Sequence, residues 1–373
     1  MKAAGCTEEA IAKSFKEPVK MRVFTWEKPG YRDTLMTPDD SIRYYKSFFR
    51  AAFMAIEPGT GHIKAYVGGP DYRYFKYDNV RQGRRQVGST VKPFIYTLAM
   101  ESGMTPCDPV LNSPVVIVVN GEETWTPQDT HADGTMVDLT WGLAHSSNSV
   151  SAYLMKQLGP EAMVSTMHKM GIGGHIDPVV SLCVGSADLS VYDMVTAYNT
   201  FPSGGVYTNP IFVTRIEDSE GNILGQFSER KHEVLSTRAT GAMIHMMRAV
   251  VDGGGTGARL RFRYGLKGAI GGKTGTTNDN SDGWFIGYTP TITAGVCVGA
   301  EDRYVHFTNG NLGQGANMAL PIWGLWMQKV IKDGTLGVSE SDAFPEELQG
   351  PWCSHQESEN ESEMTDLENY YFE

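Results

Sequence analysis

Three short runs in this sequence hold side chains suited to acyl transfer: Ser89-Thr90-Val91-Lys92, Ser146-Ser147-Asn148 and Lys273-Thr274-Gly275. The first offers a hydroxyl with an amine three residues on, and a serine becomes a nucleophile when a neighbouring base takes its proton. The second offers a hydroxyl that can pass protons and an amide that can hold a backbone. The third sets a cation beside small hydrogen-bonding groups, which suits an anionic substrate end and a developing oxyanion. Each run alone is weak, because matches of this length arise by chance. Two chance copies are present: Ser228-Glu229-Arg230-Lys231, inside the charged stretch 228–233, and Ser358-Glu359-Asn360, in an acidic stretch without apolar periodicity. Lys273-Thr274-Gly275 has no second copy.

Flanking residues separate the real copies from the decoys. Ser89 follows Gly88 and precedes Pro93-Phe94-Ile95-Tyr96-Thr97-Leu98-Ala99-Met100, an apolar run ending at Gly103. Proline in a first helical turn sacrifices no hydrogen bond, so the spacing predicts a helix that carries Ser89 and Lys92 on one face at its positive end. The competing reading is a serine that only caps the helix. Residues 138–144 and 150–155 read as two helices, which puts Asn148 in their connection, where short polar side chains commonly bond to nearby backbone. Lys273 follows Gly268-Ala269-Ile270-Gly271-Gly272 and precedes Asp282 to Pro290 and Thr291 to Val298, which read as strands joined by tight loops. Small residues on such a strand leave room for an extended peptide.

Longer stretches around the trio resemble the transpeptidase domain of class A, bifunctional penicillin-binding proteins. They are Arg85 to Phe94, Gly272 to Asp279, Gly283 to Pro290, Phe53 to Gly69 and Gly204 to Pro210, and the resemblance runs from about residue 40 to about residue 330. The three motifs are the set associated with penicillin-binding proteins and class A β-lactamases. The resemblance implies a serine D,D-transpeptidase that cross-links peptidoglycan stem peptides and is acylated by β-lactams. It implies Ser89 as nucleophile, Lys92 as proton acceptor, Ser146 as proton carrier to the leaving D-alanine, and Asn148 as holder of Lys92 or substrate backbone. The Thr274 and Thr276 hydroxyls would bind the substrate carboxylate, assisted by Lys273, with Gly275 between them on the substrate side and the N–H groups of Ser89 and Thr276 as oxyanion hole. Lys273 would favour the neutral form of Lys92 by like-charge repulsion. A D,D-carboxypeptidase or a non-enzymatic β-lactam receptor would share the trio. A β-lactamase is disfavoured, since no downstream Glu is followed closely by Asn. Val91 departs from the family's Phe, and Trp125-Thr126-Pro127-Gln128-Asp129 keeps a Trp and a Pro but not the usual Asn.

Composition bounds the remaining classes. The 373 residues are 41% hydrophobic and 20% charged, ordinary values for a globular chain. From Glu340 onward there are eleven acidic residues and no Lys or Arg, so residues 1–339 balance 32 acidic against 32 basic side chains and the net charge of −11 belongs to the end of the chain. A neutral body offers no basic patch for nucleic acid. The five cysteines, at 6, 107, 183, 297 and 353, have neither zinc-site spacing nor the pattern of a full disulfide framework, and the nine histidines form no ligand cluster, so no metal and no cofactor are expected. Gly253-Gly254-Gly255-Thr256-Gly257 lacks the Lys-Ser/Thr of a phosphate loop and reads as a flexible turn, which the resemblance places near the site.

These pieces predict an α+β, β-lactamase/transpeptidase-like architecture, an antiparallel sheet flanked by helices beside a helical subdomain, with the site at their junction. Ala51 to Val67 should open the sheet as a hairpin around Glu57-Pro58-Gly59-Thr60-Gly61, and a last helix near 319–332 should cross it. The expected organisation is an interdomain linker remnant at 1–48, a transpeptidase domain at 49–338, and an acidic, disordered tail at 339–373. No apolar run reaches the length of a bilayer span. The resemblance therefore implies an extracytoplasmic parent protein whose membrane anchor and glycosyltransferase domain are not in this chain.

Overall fold

The computed structural model describes residues 3, 5–119, 121, 123–129 and 132–353. β1 (Phe49–Ile56) and β2 (Ile63–Val67) form the expected hairpin. Its turn requires glycine at Gly61, where φ is +71° and an added Cβ would meet Asn209 O at 2.4 Å. The helical middle follows as α1 (Lys92–Glu101), α2 (Leu139–Ala144), α3 (Asn148–Leu158), α4 (Val191–Tyr198) and α5 (Thr237–Asp252). β3 (Gly271–Thr276), β4 (Asp282–Tyr288) and β5 (Thr293–Ala300) then return to the sheet, and α6 (Leu320–Asp333) covers it. The strand order is β3, β4, β5, β1, β2, and every neighbouring pair is antiparallel. The early hairpin thus joins the late meander through β5 and β1, paired from Thr293 opposite Ile56 to Ala300 opposite Phe49.

Side chains on these strands alternate between two cores, as period-two geometry demands. Met54, Ile56, Trp284, Ile286 and Tyr288 pack with residues of α1, α4 and α5. Phe53, Ala55, Phe285, Ala294 and Val296 pack against Leu320, Trp323 and Met327 of α6. Pro321 sits in the first turn of α6, and Trp323 Nε1 donates to Ala294 O at 3.1 Å, fixing that helix across β5. β3, β4 and β5 are covered on both faces, so packing fixes their position, and β3 remains as an edge strand.

The two ends of the chain attach differently. An antiparallel hairpin, Val19–Phe24 with Tyr31–Met36, and a helix, Pro38–Lys46, precede β1. Phe24 ties them on, making edge-to-face contacts with Phe48 and Phe75. At the other end, residues 340–353 depart from the disordered tail read in the sequence. Phe344 and Leu348 are buried in the core with α5, and Trp352 covers Gly241 of α5 so closely that an added Cβ would meet its ring at 2.1 Å. Cys353 closes a disulfide with Cys107. Three large apolar side chains and a crosslink outweigh the acidic composition there. Residues 354–373, and with them Ser358, lie outside the described residues. Among the described residues no helix is long and apolar enough to cross a membrane.

Candidate active site

The first motif lies where the helical part meets the edge of β3. Gly88–Val91 forms a 3₁₀ turn that runs into α1 at Lys92. Gly88 adopts φ +50°, and a Cβ there would stand 2.5 Å from Thr276 O at the end of β3. Gly185, at φ +92°, is pressed still closer, since its Cβ would stand 2.0 Å from Gly88 O. Side chains on any of these backbones would push the turn off the strand, which accounts for the glycines. Trp284 Nε1 donates to Gln86 O at 2.9 Å and the Tyr198 hydroxyl to Thr90 O at 2.5 Å, pinning both sides of half-buried Ser89.

The second motif occupies the α2–α3 connection, as its flanks predict. Ser146 holds a left-handed φ of 61°, a strained choice for a serine that costs on the order of 1 kcal/mol. Ser147 caps α3 by accepting from Val150 N at 3.1 Å, a structural role. Asn148 donates through Nδ2 to Gln128 O at 2.7 Å, which leaves its Oδ1 as an acceptor. His145 stacks on Trp141 at a centroid distance of 4.5 Å and is likewise structural.

Lys92 and Lys273 converge on this connection, and both are fully buried. Lys92 Nζ donates to Ser146 O at 2.5 Å and Asn148 Oδ1 at 2.6 Å, and lies 3.3 Å from Ser146 Oγ. The sequence places Lys92 toward Ser89; in this structure its hydrogen bonds go instead to the second motif. Lys273, on β3, donates to Ser146 Oγ at 3.0 Å and to Thr274 O at 3.0 Å. Ser146 Oγ is therefore shared by the two amines.

Burial dominates the electrostatics. It pushes Lys92 down to about 7, against the pull of Cys183 and Asp129 in the other direction. Lys273 is pushed well below the ordinary lysine range by burial first and by Lys92 second. The repulsion between the lysines bears on Lys273, as its lesser cause, while Lys92, on which it was expected to act, owes its depression to burial. A neutral amine has two N–H donors and one lone pair. The two short bonds of Lys92 use the donors, which turns the lone pair toward Ser146 O–H, while Ser146 Oγ accepts from Lys273. A proton can move along that line without any large displacement.

The strand side completes the site. Thr274 Oγ1 donates to Thr256 Oγ1 at 2.7 Å, and Thr256 N donates to Ala144 O at 3.1 Å, so the Gly253–Gly257 turn links β3 to the end of α2. Thr276 Oγ1 accepts from Gly315 N at 3.0 Å, which leaves its own O–H to donate elsewhere. Gly275 has no room for a side chain, since a Cβ would meet Val87 O at 2.8 Å.

Residues 51–301 match the family described as penicillin binding protein transpeptidase domain, and residues 1–49 match the penicillin-binding protein middle domain. The chain belongs to the penicillin-binding protein transpeptidase family. It is 33% identical over 284 residues to penicillin-binding protein 1A of Aquifex aeolicus, an alignment covering 75% of this chain and 38% of the relative. To penicillin-binding protein 2D of Bacillus subtilis it is 30% identical over 295 residues, covering 77% and 42%. The chain therefore spans well under half of these relatives. The fold is shared with penicillin-binding protein 1A from Haemophilus influenzae, with TM-score 0.71, 24% identity and coverage of 80% and 49%. It is also shared with PonA1 from Mycobacterium tuberculosis in complex with penicillin V, with TM-score 0.65, 22% identity and coverage of 92% of both chains.

Against this penicillin-binding framework, the structure gathers Lys92, Ser146, Asn148, Lys273 and the edge of Thr274 to Thr276 beside the turn of Ser89. Ser228 is exposed to solvent and makes none of these contacts. Three contributors escape the motifs. Thr256 hides in a glycine-rich turn, Gly315 offers only a backbone N–H, and Asp129 sits at a departure from the familiar segment. Only Thr256 had a sequence signal, its position inside the turn placed near the site.

Proposed function

We propose that this penicillin-binding transpeptidase domain is a serine D,D-transpeptidase acting through a Ser89 acyl-enzyme. The observation that carries the reading is the shared hydroxyl of Ser146 between Lys92 and Lys273, set beside the nucleophile turn. Ser89 Oγ attacks the carbonyl between the two terminal D-alanines of a stem peptide as neutral Lys92 turns its lone pair from Ser146 to Ser89 and takes the proton. The oxyanion is held by the N–H groups of Ser89 and Thr276, where losing one donor typically costs about a hundredfold or more. The C–N bond then breaks as the departing D-alanine nitrogen takes a proton from Ser146, which Lys92 replenishes. An amine from a second stem peptide attacks the ester, surrenders a proton along the same line, and releases Ser89 with its hydroxyl restored.

The substrate carboxylate has its place at Thr274, Thr276 and Lys273. Its arrival beside Lys273 returns a counter-charge to that buried amine and raises its hold on a proton. Charge at Lys273 in turn disfavours charge on Lys92, so substrate binding prepares the base. The unpaired edge of β3 accepts the peptide as an added strand. A β-lactam presents the same carboxylate and carbonyl and would acylate Ser89. In the parent protein the setting is extracytoplasmic, with a membrane anchor and a glycosyltransferase domain elsewhere in the chain.

Fluorescent penicillin should label the wild type and Ser228→Ala but not Ser89→Ala; equal labelling of Ser89→Ala would remove the nucleophile assignment. A stem pentapeptide supplied with an amine acceptor should yield cross-linked product. Hydrolysed product alone would make the domain a carboxypeptidase.

A further inference from the structure

We infer that Asp129 is a positioning residue of this site: its carboxylate clamps Ser147 and Ser149 on either side of Asn148 and sets a negative charge beside the residue that holds Lys92. The inference rests on the Ser89 reading for its kinetic consequences and on geometry for its substance.

Asp129 Oδ2 accepts from Ser147 Oγ at 2.9 Å and from Ser149 N at 2.7 Å. It thus holds the residues on either side of Asn148. Gln128, the preceding residue, accepts the Asn148 Nδ2 bond. Two consecutive residues of one segment therefore fix three consecutive residues, Ser147 and Asn148 of the motif and Ser149 after it. With Nδ2 committed to Gln128, Asn148 must offer Oδ1 to Lys92, which is the 2.6 Å bond observed. The clamp also places a carboxylate at the N-terminus of α3, where the helix favours negative charge.

Charge is the second part of the argument. Lys92 is faced by Lys273 from β3, by Ser146 and Asn148 from the α2–α3 connection, by Cys183 from the turn at 180–184, and by Asp129. Tyr96, on its own helix, is a buried phenol whose ionisation burial opposes. The Cys183 thiol is pushed up to about 12 by its burial and stays neutral. Asp129 is the one carboxylate among these groups, and its attraction for a protonated Lys92 opposes the pull of burial. A base works best when its proton affinity lies near the working pH. Burial lowers the proton affinity of Lys92, and Asp129 acts against that fall.

The test is the pH dependence of acylation by fluorescent penicillin for wild type, Asp129→Asn, Asp129→Glu and Asp129→Ala, together with direct NMR titration of the Lys92 amine. Asn can keep both acceptor bonds through its carbonyl oxygen while losing the charge. Asp129→Asn is expected to move the acid limb and the Lys92 titration to lower pH together, by roughly half a unit or more. Asp129→Glu should keep the wild-type limb at a reduced rate, and Asp129→Ala should be at least tenfold slower at its best pH. An Asp129→Asn enzyme with the wild-type limb and Lys92 titration overturns the inference, as does a uniform loss of rate with the titration unmoved. Labelling that survives Ser89→Ala would count against the nucleophile alone, because the Lys92 titration reads the charge of Asp129 without it.

Discussion

Lys92 Nζ and Lys273 Nζ meet on one hydroxyl, Ser146 Oγ, at 3.3 and 3.0 Å. Two buried amines that share a hydrogen-bond partner cannot both carry a proton cheaply, so the pair titrates as a unit. Lys92 is depressed to about 7 and acts as a base only when neutral. Activity should therefore be lost as pH falls through about 7 and retained on the alkaline side. The second-order rate of acylation, followed from about pH 5.5 to 9, should rise and level off. A flat profile between about pH 6 and 8 would exclude Lys92 as the base.

The nucleophile turn tolerates no added carbon at Gly185. A Cβ there would stand 2.0 Å from Gly88 O, and φ is +92°. Gly185→Ala is expected to lose roughly 2–4 kcal/mol of stability from overpacking and backbone strain. It should also slow acylation at least tenfold, because the displaced residue is next to Ser89. Gly254→Ala is the control: φ is +73° but nothing lies within 4 Å of the new carbon, so only about 1 kcal/mol should be lost. Chemical denaturation and labelling rates measure both. Equal effects from the two substitutions would mean that strain, not the close approach, governs the turn.

The sequence made the sheet and trio legible where local rules act. Pro93 and Pro321 mark helix starts, Gly61 marks the turn of a hairpin, and the apolar and small residues of 282–298 mark strands joined by tight loops. What stayed hidden depends on distance along the chain. Cys107 and Cys353 are 246 residues apart, and no spacing rule pairs them. Thr256 and Gly315 reach the site through one hydrogen bond each and Asp129 through two, and none of these leaves a periodic trace. The segment 340–353 misled because its acidic count masks Phe344, Leu348 and Trp352, which find a surface only after α5 is in place. The direction of Lys92 was likewise set by a partner 54 residues away, where helical spacing pointed to Ser89.

Arg85, four residues before Ser89, ties its segment to the sheet. Its Nη1 lies 3.3 Å from Oδ1 of Asp282, a carboxylate with no exposed surface, and its Nη2 donates to Ala300 O. Burial raises the Asp282 carboxyl above its ordinary range, while Arg85 opposes the rise. A raised carboxyl makes ionisation costly to the folded state, and the cost grows as pH climbs above the ordinary carboxylate range. Arg85→Met should thus lose about 3–5 kcal/mol at neutral pH, and less in mild acid where the carboxyl is protonated. Adding Asp282→Asn should recover part of the loss. Denaturant melts at about pH 5 and pH 7.5 distinguish the cases. A loss independent of pH and unrelieved by Asp282→Asn would assign it to packing.

The disulfide between Cys107 and Cys353 anchors the last described residues to the far end of α1 from the site. Closing a loop of this length restricts the unfolded chain, and removing the bond should lower stability by about 2–5 kcal/mol. Cys353→Ser and reduced wild type should show the same loss in denaturant. Both should acylate at rates within about twofold of oxidised wild type, because the ten residues of α1 place Lys92 about 15 Å from the end near Cys107. Trp352 should then become accessible to fluorescence quenchers, since its seat on Gly241 depends on the neighbouring bond. A Cys353→Ser chain with unchanged stability and a shielded Trp352 would show that Phe344 and Leu348 hold this segment without the crosslink.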